Sequence, residues 1–150
     1  MNTSTMTRDY HCTISVPVSA KEAFERISQV SDWWAQTLEG NSRNLGDEFK
    51  VTFGTTYVNF KITEVVPHSK IVWEVTDSYI PKLQDKQEWN NTLIVWDISS
   101  TGSSTKIDMT HVGLVPEVEC YEMCESGWNR YAKDSLFKLI TEHKGLPYQK

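Results

Sequence analysis

What this 150-residue sequence lacks already excludes several classes of protein. No run approaches the roughly 18 apolar residues of a membrane span. Met1 to Asp9, MNTSTMTRD, lack the apolar core of a secretory signal, so no membrane insertion and a cytoplasmic location are expected. No Lys/Arg cluster stands out and the net charge is −5, which argues against nucleic acid or an anionic membrane surface as partner. Cysteine is scarce and odd in number, at Cys12, Cys120 and Cys124, so reduced, buried thiols are expected rather than a disulfide framework. These cysteines, with His11, His68 and His143, do not have the spacing of a zinc site, and neither a metal nor any other cofactor is expected. There is no G-x-S-x-G nucleophile elbow, no phosphate-binding glycine loop and no dinucleotide fingerprint. Seven glycines and five prolines are too few for a fibrous or low-complexity chain.

What the chain does have is aromatic rings: six Trp, six Tyr and five Phe, within a composition that is 39% hydrophobic and 23% charged. Rings in such number either dominate a core or line a binding cavity. No repeat or linker divides the sequence, so residues 1–150 are read as one domain with 1–8 as a loose tail.

Residues 10–18, YHCTISVPV, alternate and are rich in β-branched side chains, which predicts a strand. Ser19-Ala-Lys-Glu22 has capping-box spacing, and Ala23, Phe24, Ile27 and Val30 continue at helical period. Ser31-Asp32 opens a second short helical segment carrying Trp33 and Trp34. If that helix continues nearly unbroken, Trp34 follows the Ile27, Val30 row into the core and Trp33 reaches the mouth of a cavity. Residues 40–47 are read as loop. The period then changes to two, with strands at 47–54, 57–66, 70–78, 89–99 and 104–113 joined by short turns into an antiparallel meander. Only 81–87, PKLQDKQ, makes a longer connection. From Glu117 to Glu142 the helical period returns as one long helix, ended by Lys144-Gly145. Met123 and Phe137 project away from its apolar stripe, so either the helix changes phase near Gly127 or a partner, a second copy included, covers them.

An α+β architecture follows: a curved six-stranded antiparallel sheet wrapped around a long C-terminal helix, with two short helices between the first and second strands. In this order, ISVPVSAKEAFERI, the Trp of the second helix, LGDEFKV, ITEVVPHSKIVWEV, STKIDMTHVGL and ESGWNRY resemble the START-like (SRPBCC) superfamily and its helix-grip fold. Within it, the branch named after the activator of heat-shock-protein-90 ATPase is the most similar. The resemblance runs from about Tyr10 to Glu142, and the 79–89 connection departs from its pattern. It implies a cavity between sheet and helix holding a small apolar molecule such as a lipid, sterol or polyketide-like compound. It also implies two alternatives: a cyclase- or hydratase-like enzyme in the same cavity, and a co-regulator with a chaperone partner. Fold alone does not choose among them.

The candidate cavity residues are the inward-facing aromatics Phe53, Phe60, Trp73 and Trp96, with Trp33 at the rim and Met109, Cys124, Trp128 and Tyr131 opposite. His111 shares parity with Ile107 and Met109 and is the candidate polar anchor, or the acid/base of the enzyme alternative.

Overall fold

A computed structural model describes residues 9–148, so the tail expected over 1–8 lies outside the described residues. Strand β1 (Tyr10–Val16) leads into helix α1 (Ala20–Ile27), whose first turn is capped as its spacing predicts: the Ser19 hydroxyl accepts from Glu22 N at 3.1 Å. A four-residue helix α2 (Val30–Trp33) follows, then β2 (Leu38–Gly40), β3 (Glu48–Phe53), β4 (Thr56–Val66), β5 (Lys70–Tyr79), β6 (Leu93–Thr101) and β7 (Ser104–Val112). The chain ends in α3 (Tyr121–Trp128), a π-helical segment (Asn129–Ser135) and α4 (Leu136–Glu142).

All strands form one antiparallel sheet in the order β1-β7-β6-β5-β4-β3-β2. Among the described residues it has seven strands rather than the expected six, because β2 lies in part of the segment read as connection and loop. At Gly40 (φ +93°) a Cβ would land on the carbonyl oxygen of Glu48, so only glycine lets β2 approach β3 there. Two register irregularities in the β4–β5 pair, after Asn59 and after Ile62, bend the sheet. The inward faces pack as their alternation requires: Phe49, Val51, Val58, Phe60, Ile62, Ile71, Trp73, Val75, Ile94, Trp96, Ile98, Ile107 and Met109 are all buried.

The strand expected over 89–99 begins only at Leu93. Beyond Glu74 strand β5 no longer pairs with β6. Instead Asn91 N donates to Val75 O and Val75 N to Thr92 O, both at 2.9 Å, as the connection folds back over it. Ile80, Leu83 and Trp89 of that connection are buried, so it closes one end of the sheet instead of lying in solvent.

The C-terminal helix also differs from its expected form. Residues 117–120 are turns, and the helix starts at Tyr121, where Cys120 N donates to the Glu88 carboxylate at 3.1 Å. This cap comes from a distant loop and leaves no local signature. The helix does change phase, in the π-helical stretch that follows Trp128 and whose first residue, Asn129, accepts from the Tyr10 hydroxyl of β1 at 2.6 Å, yet Met123 and Phe137 remain 44% and 37% exposed. At the far end His143, not Gly145, takes the left-handed conformation (φ +62°) that terminates the helix.

Cys120 and Cys124, expected to be reduced, are joined as a disulfide across the first helical turn. Their Cα atoms are 5.6 Å apart, within the reach of such a bond. Cys12 is free, and burial pushes its thiol up.

Candidate functional site

The adjacent indoles are placed first by their backbone. Helix α1 stops at Ile27, and Gln29 (φ −86°, ψ 60°) breaks the helical row before α2 begins. The phase carried from Ile27 and Val30 is therefore reset, and the expected roles are exchanged. Trp33 is fully buried in the core, its indole N–H donating to Ile27 O at 3.1 Å, while Trp34 reaches the cavity. Nor do the rings diverge as neighbours on a regular helix would: they stack with centroids 5.8 Å apart and planes 12° apart. Trp34 is the last residue of the turn, and its carbonyl accepts from Tyr148 N at 2.7 Å, tying it to the C-terminal segment.

The cavity has a volume of about 460 Å³ and lies between the first half of the C-terminal helix, the β3–β4 turn and the 80–92 connection. Trp34, Phe53, Trp89, Trp128 and Tyr131 form its aromatic walls. Trp89 and Trp128 stack at 5.8 Å with planes 14° apart, and Trp34 sits 4.7 Å from Trp128. Val58, Ile80 and Met123 supply aliphatic surface, so Met123, half-exposed on the helix, belongs to this wall. Lys82 is the single charged side chain in the lining among the described residues. Gly127 faces open space: a Cβ added there meets no atom within 4 Å.

Of the residues singled out from the sequence, the structure brings Phe53, Cys124, Trp128 and Tyr131 together around this cavity. Cys124 is there as half of a disulfide, and its sulfur accepts from the Trp89 indole at 3.3 Å. Trp33, Phe60, Trp73, Trp96 and Met109 lie outside the lining, packed in the core beneath it. Trp73 and Trp96, for example, meet edge to face at 5.4 Å.

His111 is also outside the lining, and is fully buried. Trp128 Nε1 donates to its Nδ1 at 3.0 Å, and its Nε2 lies 2.9 Å from Thr92 Oγ1. The Thr92 hydroxyl donates to Trp89 O at 2.6 Å and so accepts from Nε2–H. The ring is thus a neutral Nε2–H tautomer with both nitrogens occupied. Burial pulls its pKa down from 6.5 to about 3, in agreement with that state. It acts as a post behind the cavity, holding Trp128 by a hydrogen bond and Trp89 by an edge contact at 4.6 Å.

Lys82, Trp34, Trp89 and Gly127 were not singled out for the cavity from the sequence. Gly127 and Trp89 had a signal available, a glycine within the aromatic stripe, three residues after Cys124 and four before Tyr131, and a tryptophan inside the long connection. No group of three or more potential metal ligands occurs among the described residues, and no described helix is long and apolar enough to cross a membrane.

A curved antiparallel sheet closed by a C-terminal helix over an aromatic cavity defines the helix-grip class of START-like (SRPBCC) proteins. Residues 22–141 match the family model described as "Activator of Hsp90 ATPase homolog 1-like protein", and the chain belongs to that family. The solution structure of the Aha1 dimer from Colwellia psychrerythraea is similar in fold, with TM-score 0.76 and 18% identity over 91% of this chain and 98% of that one. A Staphylococcus saprophyticus protein aligns with TM-score 0.69 and 14% identity over 92% and 95% of the two chains. DynU16, from the dynemicin biosynthetic locus, aligns with TM-score 0.67 and 14% identity over 93% of this chain and 49% of its own. No curated protein matches the sequence significantly.

Proposed function

We propose that this protein binds a small hydrophobic molecule in the cavity between its sheet and its C-terminal helix. The observation that carries the reading is the lining itself: about 460 Å³ walled by five aromatic side chains and carrying one charged group. This volume falls within the roughly 300–1,000 Å³ of small-molecule sites, and such sites are largely apolar with few polar groups. The rings are held in place by packing and by the His111–Trp128 hydrogen bond before any ligand arrives, which lowers the ordering cost of binding.

The enzyme alternative needs an acid and a base converging on one point of the cavity. His111 does not supply either, since it is turned to Trp128 and Thr92 and stays neutral at physiological pH. The co-regulator alternative is carried by the family match alone, and a pull-down with Hsp90 that returns no chaperone removes it.

Native mass spectrometry of protein purified without detergent, together with thermal shifts against a panel of fatty acids, sterols and polycyclic aromatics, tests the binding reading. A co-purified apolar mass, or a rise in Tm with one class of the panel, is expected. That response should vanish in Gly127→Leu, whose side chain grows into open space within the cavity. A ligand-free protein whose Tm no member of the panel moves overturns it.

A further inference from the structure

Resting on that reading, we infer that the ligand is a flat aromatic acid, its ring system against the indoles and its anionic group at Lys82. Five aromatic side chains line the cavity against three large aliphatic ones, Val58, Ile80 and Met123. An acyl chain gains nothing particular from such walls, whereas a planar ring can lie in offset or edge contact with them. Gly127 presents bare helix backbone in the wall, with nothing within 4 Å of where a side chain would start, and this leaves room for the edge of a plane.

The charge argument comes from the 80–92 connection. Of its charged residues, Asp85 accepts from Gln87 N at 3.1 Å, Lys86 donates to Leu83 O at 3.2 Å, and Glu88 accepts from Cys120 N at 3.1 Å. Each of these fastens the connection to itself or to the helix. Glu119, the carboxylate that reaches across from the start of the helix, is held on Gln84 N at 2.9 Å. Lys82 has no such structural duty: among the described residues it has neither an ion-pair nor a hydrogen-bond partner. It is nevertheless the one charged residue of the connection that lines the cavity. The molecule carries net charge −5, so a general attraction for anions is absent and selection for an acid falls to this local cation.

Calorimetric titration with anthracene-2-carboxylate and its neutral counterpart anthracene-2-methanol tests the inference. The acid should bind about fivefold more tightly at low salt, the upper range for a partly exposed ion pair. This preference should shrink near 1 M salt, where the Debye length is about 3 Å. Lys82→Gln, a change at an exposed loop position, should abolish the preference, bringing the affinity for the acid down to that for the alcohol. Equal affinities in the unaltered protein overturn the inference while leaving the apolar-cavity reading intact. So does a preference that persists in Lys82→Gln. If neither compound binds while the apolar panel still raises Tm, the inference alone falls; if the panel is silent as well, the reading beneath it falls too.

Discussion

At His111 the protonation state follows from its neighbours, and so does the protein's response to acid. A proton added at Nδ1 would face the Trp128 N–H that now donates to that atom, inside a fully buried site. In the unfolded chain the imidazole takes up a proton near pH 6.5, and in the folded one only near pH 3. Between those values the unfolded state binds more protons, so stability falls as pH drops from about 6.5 toward 3. The loss contributed by this residue approaches about 1.4 kcal/mol per pH unit. Urea denaturation at a series of pH values should show this slope, and His111→Leu should flatten it. At neutral pH the same substitution should cost about 1–3 kcal/mol, because the Trp128 indole loses its buried acceptor. An unchanged slope in the variant would show that the acid response arises elsewhere. Residue parity alone put His111 inside, and it is inside. What parity could not supply was the pair of hydrogen bonds that turns the ring away from the cavity.

At the scale of elements, what was legible depended on whether the determining contacts were local. The Ser19 cap, the alternation of β3 to β7 and the misfit of Met123 and Phe137 are all local patterns, and each has its counterpart in the structure. The first helical turn at Tyr121 is set by Glu88, 32 residues before the Cys120 whose N–H it accepts, and no neighbouring residue announces it. Strand β2 spans three residues and relies on the close approach at Gly40, too little for a period to appear. The exchange of Trp33 and Trp34 has the same character, since a single non-helical residue at Gln29 shifts everything after it. Gly127 allows the helix to be probed directly. It lies mid-helix with ordinary helical backbone and free space around a new Cβ, so Gly127→Ala should stabilise the protein by about 0.5–1 kcal/mol by restricting the unfolded chain. Guanidinium denaturation measures this; a loss of stability would mean that the position is tighter than the structure has it.

Across the whole molecule one sheet gathers strands from Tyr10 to Val112, and the helices pack onto its inner face, α1 and α4 also touching each other. Among the described residues the buried apolar side chains form one cluster, so unfolding should be a single transition with equal calorimetric and van't Hoff enthalpies. Two resolved transitions in a calorimetric scan would contradict it. The helix-grip order could be read from the sequence because every strand except β2 shows one apolar face. A cavity between sheet and helix was legible in the same order, but its walls were not, because they come from a turn, a long connection and a helix whose relative placement depends on tertiary closure.

The aromatic cluster has an optical consequence. Trp89 touches Trp128, Trp128 touches Trp34, Trp34 touches Trp33 and Trp73, and both of these touch Trp96, at centroid separations from 4.7 to 6.4 Å. All six tryptophans of the chain are therefore links in one connected path. Excitation absorbed by any of them can migrate along that path, so light entering the core at Trp96 has a route to the cavity wall at Trp34, Trp89 and Trp128. A single absorbing molecule seated there would dim the emission of the whole protein at once, making the fold its own reporter of occupancy.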